Sequence, residues 1–215
     1  MNERGQGYLG LHVLADDDPR WGRDPVAIAR DACAAGAPVV QLRTKYATDA
    51  QTLDWARTIR EITRHAGSRF VVNDRFDIAL LAEADAVHLG QGDLPPRALP
   101  KEVRDALTIG RSTHTVEQLE AARDEDVDYV AFGPVFGTTS KDSEYGERGL
   151  EALQEAVTLA APRPLIAIGG IQAEHLDELR EAGVGGFAVI SVVATASDPA
   201  ATARDLIARF AGSAR

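Results

Sequence analysis

Arg43, Lys45 and Lys141 are cations, Asp74 and Asp93 are carboxylates, and each stands at or shortly after the end of an apolar run. A run such as Phe70-Val71-Val72 reads as a buried strand, and the carboxylate that follows in "FVVNDRF" is poorly placed for packing. The same holds for "AVHLGQGD", which ends on Asp93. Cations and paired carboxylates facing one cavity make a poor core but a good site for a diphosphate with a metal. Asp74 and Asp93, with water and phosphate oxygens, supply the hard oxygen ligands that Mg²⁺ prefers. Arg43 can fork onto phosphate oxygens, while Lys45 and Lys141 act as point charges. Such a set neutralises a leaving pyrophosphate by electrostatics and positioning. Taken singly, each charge reads equally well as a solvated loop residue in an ion pair. Only a shared face makes them a site.

A second constellation lies in "IAIGGIQ" followed by "FAVISVV". Glycines after one strand and a helix start after the next form the phosphate-binding corner that α/β barrels build. Gly170 lets the backbone approach a phosphate, and Ser191 with the local N–H groups can donate to it. Alone, Gly-Gly is only a tight turn. Two phosphate sites side by side imply two phosphorylated small-molecule substrates, hence group transfer rather than hydrolysis.

Elements must bring these residues together. Short β-type runs recur at 8–14, 38–43, 69–73, 86–90, 107–112, 128–133, 164–169 and 186–191. Between them lie amphipathic segments such as "DPVAIARDACAAG", "TDAQTLDWARTIREITRHAG", "TVEQLEAARDED" and "AEHLDELREAG", and "DPAATARDLIARFAG" closes the chain. Several open on Asp or Thr at a cap position and stop at Gly. Apolar strands alternating with helices imply a parallel sheet covered on its outer face. Eight even units without a "GxGxxG" after the first strand favour a closed (β/α)₈ TIM barrel over an open doubly wound sheet. No linker divides the chain, so the expectation is one α/β domain over 1–215, with its core at about 8–210.

In that fold the C-terminal strand ends converge. In order they contribute Gln41, Arg43 and Lys45; Asn73 and Asp74; Asp93; Ser112 and His114; Thr138, Thr139, Ser140 and Lys141; Gly169 and Gly170; Ile190 and Ser191. His88 reads either as a core histidine or as a ligand contact. His114 stands beside a helix cap, where a structural role competes with acid/base work. Trp21 and Trp55 read as packing residues, and the acidic "ADDDP" as a solvated loop.

The chain has 215 residues, 45% of them apolar, and a formal net charge of -10. That charge argues against nucleic acid as a partner. Cys33 is the only cysteine, which excludes an internal disulfide and fits a reducing compartment. The N-terminus lacks the apolar core of a signal peptide, and no later run has the length of a membrane span. These features lead us to expect a cytoplasmic protein with no membrane partner; a homo-oligomer is compatible with them.

With these motifs collected, the chain resembles the thiamine phosphate synthase family over roughly residues 8 to 210. The carriers are "QLRTK", "VVNDRFDIAL", "AVHLGQGD", "GRSTHT", "FGPVFGTTSKDS", "IAIGGI" and "VISVV". The resemblance implies a transferase that couples 4-amino-2-methyl-5-hydroxymethylpyrimidine diphosphate to a thiazole phosphate, giving thiamine phosphate and pyrophosphate. It implies diphosphate and pyrimidine contacts at Gln41, Arg43, Lys45, Asn73, Ser112 and Lys141, with Arg43, Lys45, Ser112 and Lys141 as the catalytic set. Its Mg²⁺ ligands fall on Asp74 and Asp93. Its thiazole phosphate contacts fall on Thr138, Ser140, Gly170, Ile190 and Ser191, and Thr139 belongs to the same loop. A sister family of thiazole tautomerases shares the barrel and resembles the Arg111-Ser112 and His114 pattern here, but usually lacks the paired carboxylates. A non-catalytic barrel that senses a phosphorylated metabolite would need the phosphate corner and not the metal pair.

Overall fold

The computed structural model describes residues 3–138 and 145–212. Eight parallel strands pair in sequence order and close on themselves, β1 meeting β8. They are β1 (Gly10–Asp16), β2 (Val39–Arg43), β3 (Arg69–Asn73), β4 (Ala86–Leu89), β5 (Thr108–Thr113), β6 (Tyr129–Phe132), β7 (Leu165–Ile168) and β8 (Gly186–Val189). Each strand expected from sequence is present. The largest shift is in β1, which begins two residues later than expected and runs on to Asp16. It does so because its ladder with β2 continues through Asp16↔Arg43.

The outer layer is helical: α1 (Glu3–Gln6), α2 (Pro25–Ala34), α3 (Asp49–Ala66), α4 (Phe76–Leu81), α5 (Lys101–Ala106), α6 (Val116–Arg123), α7 (Gly149–Ala160), α8 (Leu176–Glu181), α9 (Ser191–Ala194) and α10 (Pro199–Phe210). The local chemistry explains their limits. Asp24, Thr48, Thr115 and Asp198 each accept a backbone N–H as the N-cap of α2, α3, α6 and α10. Helix α3 stops at Gly67, whose φ of 74° only glycine adopts without cost. Cys33 lies half-buried in α2, and burial raises its thiol pKa, partly offset by a hydrogen bond with Ser68, as suits an inert side chain. Among the described residues no helix is long and apolar enough to cross a membrane.

Register decides which side chains enter the barrel. Cross-strand partners in a parallel ladder share a face, and faces alternate along each strand. The pairs His12↔Val39, Leu14↔Gln41 and Asp16↔Arg43 therefore point together, as do Asn73↔His88, His88↔Gly110 and Gly110↔Tyr129. This is the inner face. Leu42, Phe70, Val72, Phe132 and Phe187 belong to the alternate set and are buried beneath the helices.

The interior holds an unusual amount of polarity. Tyr129 stacks on Tyr8 at 5.2 Å and meets the His12 ring edge-on at 5.9 Å. His12 is 1% exposed, and its Nε2 lies 2.7 Å from the Tyr8 carbonyl oxygen, so Nε2 carries the proton of a neutral ring. Burial pushes the His12 pKa down to about 4, against a smaller opposing effect of that hydrogen bond. Between pH 6.5 and 4 the unfolded chain then binds a proton that the folded chain refuses, so stability falls as pH falls through this window. The loss should be on the order of 3 kcal/mol. Denaturant unfolding at pH 7 and pH 4.5, compared with His12→Leu, isolates this contribution. An equal pH dependence in both proteins would refute it.

Candidate active site

The C-terminal mouth is built from the loops that follow these strands. Gln41, Arg43, Asn73 and Ser112 all stand on the inner face near strand ends, as expected. Arg43 ends β2 with its side chain only 14% exposed and pairs with the fully buried Asp16. This corrects the reading of "ADDDP" as a solvated loop. Asp16 continues the inward-facing set His12 and Leu14, and a strand drawn two residues longer would have revealed it. Trp21 is buried, as expected of a packing residue, and also donates its indole N–H to Asp16 at 2.8 Å.

The two carboxylates expected from sequence do meet. Asp74 follows β3 in the left-handed region, with φ of 64°, a conformation that Asp tolerates better than most residues. Its amide donates to the His88 carbonyl at 2.8 Å, which continues the β3–β4 ladder by one residue. Asp93 bends back so that its Oδ2 accepts from the Gly90 amide at 2.6 Å. Both carboxylates stand over the same α-carbon: a Cβ on Gly90 would lie 3.3 Å from Asp93 Oδ2 and 4.0 Å from Asp74 Oδ1. On the far side Lys45 Nζ lies 2.5 Å from Asp74 Oδ2.

Their charge states follow from that contact. Burial pushes Asp93 up to about 6, with the Asp74 carboxylate adding to the rise and the Gly90 N–H opposing it. Burial also works against the charge on Asp74, but hydrogen bonds from Lys45 and Asp93 outweigh it and hold that carboxyl below the usual range. Two carboxyl groups competing for one proton are a natural seat for a divalent cation. The described residues contain no cluster of three or more His, Cys, Asp or Glu side chains that would cage a metal alone. A pair suits Mg²⁺, which is commonly held by one or two carboxylates while substrate phosphates complete its shell.

Ser112 is placed by a polar chain that the sequence did not reveal. His88 is 6% exposed; its Nε2 lies 2.9 Å from Ser112 Oγ and its Nδ1 3.2 Å from the Tyr129 hydroxyl. It is thus a core histidine in contact with a site residue, which joins the two readings left open. Arg111 faces outward, donating to the Gly90 carbonyl at 2.6 Å and pairing with Glu125 at 3.3 Å. It braces the Asp93 loop from behind. His114 donates from Nδ1 to the Gly133 carbonyl at 2.6 Å and stacks on Tyr145 at 4.3 Å. Those contacts fit a side chain that ties the β5 and β6 loops together.

The second constellation forms a separate small cavity of about 40 Å³ between β7 and β8, lined by Thr138, Gly170, Ile190 and Ser191 among others. Gly170, at φ 65°, passes so close to the β6 loop that a Cβ would lie 2.4 Å from the Gly137 carbonyl oxygen. The backbone itself is the wall here, as a phosphate corner requires. Thr139, Ser140 and Lys141 lie outside the described residues.

Comparison with known proteins agrees with this geometry. A family model described as thiamine monophosphate synthase matches residues 11–193. The thiamine-phosphate synthase of Methanoculleus marisnigri is 44% identical over 205 residues, covering 95% of this chain and 96% of its own. That of Chlorobium phaeovibrioides is 44% identical over 197 residues, with 92% of each chain covered. The thiamine phosphate pyrophosphorylase from Pyrococcus furiosus superposes with a TM-score of 0.87 at 33% identity, over 99% of both chains. The chain belongs to the thiamine monophosphate synthase family. The expectations of a transferase of thiamine biosynthesis and of a closed eight-stranded barrel both hold.

Within this thiamine monophosphate synthase barrel, the Tyr129–His88–Ser112 chain depends on one small residue. A Cβ on Gly110 would lie 2.3 Å from Tyr129 Cζ and 2.5 Å from His88 Nδ1. Gly110→Ala should therefore cost about 1–3 kcal/mol through overpacking. It should also pull His88 away from Ser112. Denaturant unfolding checks the first effect, and the pH titration of the His88 ring by NMR checks the second. Unchanged stability with an unchanged titration would show that the pair adjusts freely.

Proposed function

We propose that the chain joins 4-amino-2-methyl-5-hydroxymethylpyrimidine diphosphate to a thiazole phosphate, with release of pyrophosphate and formation of thiamine phosphate. The observation that carries this reading is the division of one barrel mouth into two anion sites. One holds Arg43, Lys45 and the paired carboxylates, and the other is the glycine-walled cavity at β7 and β8. A hydrolase or a one-ligand sensor needs only one of them.

In this reading Arg43 and Lys45 orient the diphosphate, and Lys141 joins them as a third cation. Gln41 and Asn73, on the inner face beside them, contact the aminopyrimidine. The Ser112 hydroxyl, steadied by His88, donates to the same substrate. When bound through Asp74 and Asp93, Mg²⁺ supplies Lewis-acid neutralisation of the diphosphate. The C–O bond to the pyrimidine methylene breaks with its electron pair leaving on pyrophosphate, and the 4-amino group of the ring supplies the compensating push. The thiazole nitrogen then captures the methylene cation and forms the new C–N bond. Thr138, Ser140, Gly170, Ile190 and Ser191 hold the thiazole phosphate, with Thr139 in the same loop. The protein needs no nucleophile; its contribution is preorganised charge and proximity.

Asp74→Ala and Asp93→Ala should each lower turnover by on the order of 10²–10³. Circular dichroism and thermal melting should show both variants folded. Near wild-type turnover in either one would sink the metal assignment. A second prediction separates the synthase from a tautomerase. Asn at position 114 can still donate to the Gly133 carbonyl, so His114→Asn should keep most of the coupling activity, and that coupling should require Mg²⁺. A proton carrier would instead lose on the order of 10²–10⁴ in rate. Metal-independent thiazole isomerisation that disappears in the variant, with no coupling detected, would overturn the proposal.

A further inference from the structure

The geometry points to Asp16 and Asp17, at the turn after β1, as positioning residues that set the diphosphate-binding loop after β2. This rests on the proposed role of Arg43 and Lys45 in holding the diphosphate. Neither aspartate is a substrate contact in this inference; both act through the neighbouring loop.

Each carboxylate has a distinct task. Asp16 is fully buried and accepts three hydrogen bonds: from the Arg43 guanidinium, from Trp21 Nε1 at 2.8 Å and from its neighbour's amide, Asp18 N, at 3.0 Å. The two donors on Oδ1 fix the carboxylate, and its Oδ2 then fixes Arg43. One edge of the guanidinium is committed to the wall, and the rest of the fork can face the mouth. Asp17 holds the backbone instead. Its Oδ1 accepts from the Lys45 amide at 2.7 Å, and its Oδ2 from Tyr46 and Ala47 at 2.9 and 2.8 Å. Its own amide donates to the Arg43 carbonyl at 3.1 Å. Asp18 completes the turn: its Oδ2 lies 3.3 Å from the Tyr46 hydroxyl and 2.7 Å from Arg20 Nε.

Successive amides that converge on one carboxylate order the loop from Lys45 to Ala47 before any substrate arrives. The entropy of fixing Lys45 and Arg43 is then lost on folding rather than on binding, which is how a preorganised site gains affinity. Pairing Arg43 with Asp16 reduces its net charge toward a diphosphate. The arrangement makes sense if direction matters more than raw attraction. A merely structural turn would stitch β1 to β2 and leave both substrates' kinetics alone in the folded protein.

Steady-state kinetics with each substrate varied in turn, on Asp16→Asn, Asp17→Asn and Trp21→Phe, test the inference. The two aspartate variants should raise KM for the pyrimidine diphosphate roughly 10- to 100-fold, while KM for the thiazole phosphate stays within about twofold. Trp21→Phe, which removes one neutral donor from Asp16, should give a smaller rise of about 2- to 10-fold. Asp17 is only half-buried, so its variant carries the test if Asp16→Asn fails to fold. Wild-type KM for the diphosphate in folded variants would overturn the inference, and so would an equal rise for both substrates. Arg43→Ala is the reference: wild-type constants in that variant would overturn the assignment of Arg43 itself, and the inference with it.

Discussion

A closed parallel barrel imposes one constraint from which the rest follows. Every second residue of each strand must point into a space surrounded by eight strands, and partners across the ladder must point the same way. Gln41, Arg43, Asn73, His88 and Ser112 are distant in sequence, yet the register leaves them no other direction. The helices bury the alternate set, and that burial supplies the hydrophobic driving force that holds the register. A slip of one residue would turn Arg43 into the helix layer and Leu42 into the mouth. The site is as well fixed as the core because the same pairing sets both.

Polar groups inside such a barrel carry a desolvation penalty unless each finds a partner. The interior answers with a continuous chain. Tyr8 and His12 meet Tyr129 at the base, Tyr129 reaches His88, and His88 reaches Ser112 at the mouth. Gly110 makes room for the crossing. The Ser112 hydroxyl is therefore oriented from the base of the barrel, through ring contacts and hydrogen bonds, while its backbone is held in β5.

Charge at the mouth is balanced in the same economical manner. Arg43 has Asp16, Lys45 has Asp74, and Asp74 shares a contact with Asp93. The remaining carboxylate charge sits at the Asp74–Asp93 pair, where a divalent cation would offset it. Interleaved opposite charges hold these side chains at the mouth without a core partner for each charge. The cavity at β7 and β8 is walled instead by the Gly169-Gly170 backbone and by aliphatic side chains such as Ile190 and Val192, so the mouth offers two kinds of wall.

The sequence alone determined the strand and helix order, the barrel, and most of the residues that face the mouth. It could do so because alternating apolar runs and cap residues are local signals, and because charges such as Asp74 and Asp93, directly or shortly after apolar strands, have no packing explanation. Tertiary structure decided what local pattern cannot carry. Asp16 reads as a solvated acid in "ADDDP" until the ladder with β2 brings Arg43 beside it. His88 could be core or contact until β5 and β6 place Ser112 on one ring nitrogen and Tyr129 on the other. Arg111, in a motif that suggested chemistry, turns out to face away and support the Asp93 loop through the Gly90 carbonyl. In each case the deciding partner lies on another strand or its loop, tens of residues away for His88 and Arg43. Only closure of the barrel, with its fixed register, brings them within hydrogen-bonding distance.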